Sequence, residues 1–307
     1  MSFVSKFTVN GINENINADA NSYIEECENA YRKSLEKVSD RIVSSSGRKL
    51  VMLAGPSSSG KTTTAGLICS MITKSGRNAI TVSLDDFYKD QRFAPKFDDG
   101  SPDFETVHAL DIEKIDECLK KLIVTGEVML PKFDFTTRTP IENAKKVEIG
   151  ENDVVVVEGL HALNPLITDG LENEELIKLY VSVSSRVYDE GKVIFTKRDI
   201  RFVRRMIRDY QFRNSPVDFT FYLWKGVRTG EDRYLFPFSD RADIRIDSIH
   251  PYELCVYKEL ATELLCHIKS DSVYYPQAQK LIEKLEKLQS LDKSKIPDNS
   301  LLHEFMG

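Results

Sequence analysis

Leu50-Val51-Met52-Leu53-Ala54-Gly55-Pro56-Ser57-Ser58-Ser59-Gly60-Lys61-Thr62-Thr63 runs an apolar strand through a glycine-bounded loop and into a helix. From Gly55 to Thr62 it fits G-x-x-x-x-G-K-[ST], in which loop N–H groups wrap phosphates, the lysine reaches the β- and γ-phosphates and the hydroxyl ligates Mg²⁺. Gly55 and Gly60 supply the backbone freedom for the wrap, with Ser57, Ser58 and Ser59 between them. The helix that follows, Lys61 to about Lys74, aims its first-turn amides, that of Thr63 included, and its positive dipole end at the same anion. A glycine-serine turn can also join a strand to a helix by chance, but a strand before and a helix after are the context this motif requires. The expected ligands are a nucleoside triphosphate and Mg²⁺.

Composition narrows the rest. At 307 residues, 41% hydrophobic and 29% charged, the chain suits a soluble protein of one large domain, with or without an appendage. A formal charge of -6 argues against a general nucleic-acid binder, which neutralises many phosphates with a basic surface. Five cysteines without a C-x-x-C pair suit reduced thiols. No apolar run reaches membrane-spanning length and Met1 to Lys6 lacks a signal-peptide core, so the expectation is a cytoplasmic protein with no membrane partner, free to form a homo-oligomer.

Taken in order, residues 1 to about 17 are polar, Ser22 to Val43 has helical spacing, and Ser44-Ser45-Ser46-Gly47 links it to the first core strand. Asn78 to Ser83 reads as a strand that delivers Asp85, Asp86, Phe87 and Tyr88 at its C-terminal end, the edge where open α/β sheets bind ligands. Residues 89–107, with Asp98, Asp99, Asp103 and Glu105, are a long irregular segment. Ala109 to Thr125 follows as a helix and Val128 to Gly150 as a small hairpin-like excursion. Val154 to Val157 has the continuous β-branched pattern of a strand buried on both faces, and it carries Glu158 to the same edge. Leu166 to Ile177 is a weak helix and Lys178 to Val183 a strand. Val217 to Thr229, with Trp224 in a core-type aromatic cluster, is helical. A last strand, Ala242 to Asp247, precedes helices at Pro251 to Ile268 and 274–291, and the remainder to Gly307 looks loosely held. These readings divide the chain into a 1–47 helical extension, a 48–268 α/β domain and a 269–307 helical appendage.

Arg201, Arg204, Arg205 and Arg208 follow i, i+3, i+4, i+7, which puts four like charges on one helix stripe that calls for an anion. Phosphate clamping is one reading and a solvated basic face the other.

Phosphate loop, Ser83-Leu84-Asp85-Asp86-Phe87-Tyr88, Phe133-Asp134-Phe135, Val157-Glu158-Gly159 and the arginine helix, in this order, resemble the phosphoribulokinase/uridine kinase family of P-loop kinases, most closely its uridine-cytidine kinases, over roughly residues 48–268. The resemblance implies a mostly parallel sheet flanked by helices, with an arginine-bearing lid. It implies transfer of the ATP γ-phosphate to a hydroxyl of a nucleoside such as uridine or cytidine, with other hydroxylated or phosphorylated metabolites as the alternative. It makes Asp85 the general base, sets Glu105 where the family has an Asp on ribose hydroxyls, and puts Arg204 and Arg208 on the phosphate-contacting lid. Tyr88, Phe133, Arg138 and Arg201 complete the candidate acceptor residues. Those kinases usually read Tyr-Asp-Phe with a histidine three residues on, whereas here Phe133 lacks the phenol and Arg138 replaces the imidazole.

A carboxylate within reach of the acceptor takes its proton as the new bond forms. Spacing alone leaves Asp85 and Asp86 as competitors, because strand neighbours face opposite sides. Lys61, Arg204 and Arg208 are the expected catalytic charges, Thr62 and Glu158 the metal residues, and His161 has no assigned role. Two other classes compete: a GTPase, suggested by Thr196-Lys197-Arg198-Asp199 but lacking D-x-x-G after the second buried strand, and a non-catalytic nucleotide-binding regulator.

Overall fold

The computed structural model describes residues 6–44, 46–96, 100, 102–171 and 176–307. Met1 to Ser5, Ser45, Asp98, Asp99 and residues 172–175 of the expected 166–177 helix lie outside the described residues. A short strand β1 (Lys6–Thr8) enters the long helix α1 (Val9–Val43), β2 (Lys49–Ala54) enters α2 (Lys61–Lys74), and β3 (Ala79–Ser83) leads through an irregular segment to α3 (Ile112–Thr125). The hairpin β4 (Glu127–Asp134) and β5 (Thr139–Glu148) precedes β6 (Val154–Glu158), the single turn α4 (Pro165–Thr168) and β7 (Leu176–Ser182). Strands β8 (Arg186–Asp189) and β9 (Lys192–Phe195) feed α5 (Lys197–Arg213) and α6 (Val217–Tyr234). The chain closes with β10 (Ile244–Asp247), α7 (Glu253–Cys266), α8 (Tyr275–Glu286) and α9 (His303–Met306).

Five strands form one parallel sheet in the order β10-β7-β2-β6-β3. Val154 to Val157 are fully buried, as their β-branched run requires. Alternation divides each strand between two apolar layers. Val51, Leu53, Val154 and Val156 meet the helical side built from α1, α2, α5, α7 and α8, whereas Leu50, Met52, Val155 and Val157 meet α3 and the hairpin. Register aligns Glu158 with both Leu53 and Ser83, so β2, β3 and β6 end together. The phosphate loop, Asp85 and Glu158 therefore share the carboxyl edge of the sheet, where the strand order reverses.

Three readings of the sequence change. The helix expected from Ser22 begins earlier, at Val9, within the stretch read only as polar: Thr8 caps Gly11 N–H, and the chain kinks at Asp19, whose side chain accepts from Asn21 and Ser22 N–H. Strands β1, β8 and β9, at three and four residues, are too short to show alternation. The stretch after residue 291 is not loosely held, since Ile296, Leu301, Leu302, Phe305 and Met306 are buried in the same apolar layer as the sheet.

Candidate active site

The loop after β2 is shaped by two glycines. Gly60 takes a left-handed φ of 86° at the start of α2, and a Cβ on Gly55 would lie 2.2 Å from the Val181 carbonyl. Lys61 Nζ folds back on the Pro56 carbonyl at 3.2 Å. The loop is braced from outside: Ser57 N–H donates to Glu231 Oε1 at 2.8 Å, Arg205 donates to Ser57 Oγ at 3.0 Å, and Tyr31 of α1 meets Thr64 at 2.7 Å. Among the described residues the buried Ser58 and Ser59 hydroxyls find no hydrogen-bond partner, an arrangement that costs about 1–3 kcal/mol per group and that phosphate oxygens would relieve. The loop fits a phosphate chain.

For a divalent cation the fit is with oxygens. Thr62 is exposed at the loop rim, and Glu158, buried, accepts from Ser83 Oγ at 2.8 Å. Burial holds the Glu158 carboxyl above its ordinary range, with Lys61 opposing and Asp85 adding to the rise. Mg²⁺ rests on one or two protein oxygens plus phosphates, and Thr62 and Glu158 offer two such side chains.

Asp85 and Asp86 point to different surroundings. Asp86 Oδ1 accepts from Phe133 N–H at 3.4 Å and so ties the first 3₁₀ turn after β3 to the hairpin. Asp85 opens on the cleft. The cleft walls push its carboxyl above the ordinary range against the pull of Lys61, and it lies in the field of Arg208 and Arg213. Glu105 is reached from the same cleft: burial pushes it up to about 7, Glu231 adds, Arg205 opposes, and Asp103 and Asp85 contribute. Beyond it, the Tyr88 ring lies 5.5 Å from Phe133, 6.1 Å from Phe104 and 6.3 Å from Phe135, an aromatic wall. Arg138 stands exposed at the hairpin tip with φ 56°.

The four arginines of the stripe have different partners. Arg201, fully enclosed, makes a two-point pair with Glu231 at 3.1 and 2.6 Å. Arg204, 0% exposed, does the same with Glu253 at 2.6 and 2.9 Å, while reaching the Ser58 carbonyl at 3.4 Å. A guanidinium taken out of water needs such a carboxylate, and each of these two has one. Arg205 and Arg208 keep the side toward the loop. Arg205 is oriented by Asp209 at 2.5 Å, an i,i+4 pair that was readable in the sequence. Arg208 has a buried, unpartnered Nε, and desolvation lowers it to about 10, helped by Arg213 and Arg205.

Glu231 and Glu304 escaped the sequence reading, and Asp103 and His161 were named there without a role. Glu231 and Glu304 sit on the loop from helices distant in sequence, and Asp103 accepts from Glu105 N–H and Tyr234 OH. His161 is buried, and burial drives its imidazole down to about 4, with the backbone of Glu105 and Tyr234 opposing. The GTPase-like Thr196-to-Asp199 run is a helix cap. Thr196 and Asp199 each accept from the other's backbone N–H.

A family model described as phosphoribulokinase / uridine kinase family matches residues 50–254. Among curated proteins, uridine kinases of Lactobacillus helveticus (strain DPC 4571) and Staphylococcus aureus (strain JH9) are each 28% identical. The first covers 64% of this chain and 84% of its own length, the second 64% and 86%. A solved structure from Silicibacter sp. TM1040, described as that of a fructose transport system kinase, superposes with a TM-score of 0.50 at 20% identity, covering 69% of this chain and 98% of that one. At that identity the likeness speaks to the fold alone.

Proposed function

Because the chain belongs to the phosphoribulokinase / uridine kinase family, we propose that it is an ATP-dependent kinase acting on a hydroxyl of a nucleoside-type acceptor. One observation carries the reading: Ser83, at the end of β3, donates to Glu158 of β6 and accepts from Asp85 N–H, so both acids stand at the sheet edge that carries the phosphate loop. ATP supplies the phosphoryl group and Mg²⁺ offsets its charge, with Thr62 and Glu158 the residues to hold the ion. Asp85 takes the proton of the attacking hydroxyl. Lys61 and Arg208 offset charge that builds on the transferring group. Glu105 receives sugar hydroxyls, and the wall of Tyr88, Phe104 and Phe133 stacks a flat base. The uridine kinases among its relatives support this acceptor class. Phe133 offers no phenol to the base, so one hydrogen bond of selection is missing and discrimination among nucleosides is looser.

The test is an ATP-consumption screen across uridine, cytidine, purine nucleosides, pantothenate and ribulose 5-phosphate. Nucleoside-dependent ADP release with kcat/KM values spread less than about 10²-fold among bases is the expected result. A higher kcat/KM for a non-nucleoside overturns the acceptor class, and strict selection of uridine or cytidine overturns the loose base reading.

A further inference from the structure

The C-terminal segment returns to the phosphate loop. Leu301 packs on Gly60, so closely that a Cβ there would lie 2.7 Å from Leu301 Cδ1. Phe305, buried, lies under the Arg204 guanidinium at 4.9 Å, and Ser300 Oγ donates to Glu28 at 2.5 Å. Between these anchors Glu304 Oε2 accepts the backbone N–H of Thr63 at 3.2 Å, a first-turn amide of α2 of the kind that binds phosphate. Its other oxygen is 3.9 Å from Arg208 Nη1, and its charge is felt at Glu158. A carboxylate thus stands on a phosphate-binding amide, beside an arginine whose Nε has no partner.

We propose that Glu304 is a built-in competitor for the donor nucleotide: it occupies the Thr63 amide in the absence of ligand and swings away when phosphate arrives, which also frees Arg208 for the phosphate. This rests on the reading of the loop as the donor site. The backbone stays anchored by Leu301, Phe305 and Ser300, so the motion is that of one side chain, 15% exposed, and not of the whole segment. A protein whose competent state is only partly populated binds with its Kd raised by the reciprocal of that fraction.

The experiment is calorimetric titration of ADP, without acceptor, into the wild-type full chain, Glu304→Ala and Glu304→Gln, alongside their unfolding temperatures. Binding tightened by about 3- to 10-fold in Glu304→Ala, and by less in Glu304→Gln, is expected. Equal or weaker binding in both variants overturns the inference while leaving the donor site intact. Absence of ADP binding to wild type and both variants overturns the site and the inference together. Should Glu304→Ala unfold early, the Glu304→Gln comparison decides.

Discussion

Asp85 and Asp86 are neighbours with opposite commitments, and the difference is measurable. Asp86 holds Phe133 N–H, a bond that an Asn carbonyl can still accept, whereas Asp85 lies in the field of Lys61. Asp85→Asn is expected to lower kcat by about 10²-fold or more with little change in ADP affinity, because a base acts in the transition state and adds little to ground-state binding. Asp86→Asn stays within about 10-fold of wild type. Steady-state kinetics and ADP titration on both variants check this, and a reversed order would exchange their roles. Glu105 provides a pH signature. Its folded value near 7 lies above the ordinary 4.5 of an unfolded glutamate, so the folded state binds the extra proton between these limits. Stability contributed by protonated Glu105 is therefore full below about 4.5 and is lost as pH rises through 7. Glu105→Gln is expected to raise the unfolding temperature relative to wild type at pH 8 and to match it near pH 4.5, as thermal unfolding at the two pH values will read. The sequence offered Asp85, Asp86 and Glu105 as candidates but not which way they face, because a 3₁₀ turn after β3 abolishes the strand alternation that would have told them apart.

Helix α5 shows why a charge pattern does not determine a role. Its i, i+3, i+4, i+7 spacing was legible, but Arg201 and Arg204 are claimed by Glu231 and Glu253, carboxylates on helices that no local spacing could connect to them. Arg204→Ala leaves Glu253, 1% exposed, as an unpaired buried charge, which costs about 3–5 kcal/mol. Denaturant unfolding is expected to show that loss for Arg204→Ala. Arg208→Ala keeps the fold, because the 3.9 Å contact to Glu304 contributes little, and raises the KM for ATP or slows transfer. If Arg204→Ala unfolds like wild type and fails only in kinetics, its guanidinium belongs to the ligand after all. By contrast, the strand-loop-helix unit from β2 to α2 was fully readable, since its glycines, its motif spacing and the buried valine strand beside it are all local signals.

The flanking segments were read as an extension and an appendage, yet they meet each other and the phosphate loop. Glu28 of α1 accepts from Tyr252 OH and from Ser300 Oγ, each at 2.5 Å, with His250 Nε2 at 3.6 Å. Burial by itself would raise the Glu28 carboxyl, but His250 beside it and the hydrogen bonds from Ser300 and Tyr252 pull it down to about 2. Tyr31, one turn along α1, reaches Thr64 behind the loop, and Ile24, Leu35, Val38 and Ile42 share one apolar layer with Val51, Leu53 and Phe305. The residues matched by the family, 50–254, thus have their helical side covered by chain on both flanks. A fragment spanning 48–268 would uncover the apolar surfaces that α1, α8 and α9 cover and strip Tyr252 of its carboxylate. At about 25 cal/mol per Å² of apolar surface, uncovering even a few hundred Å² removes much of the 5–15 kcal/mol that separates folded from unfolded chains. The fragment is expected to lack a cooperative thermal transition and to bind ADP poorly, while the full chain does both. A 48–268 fragment that melts cooperatively and binds ADP as the full chain does would instead make it a self-sufficient domain, with the flanks serving only the access to its loop.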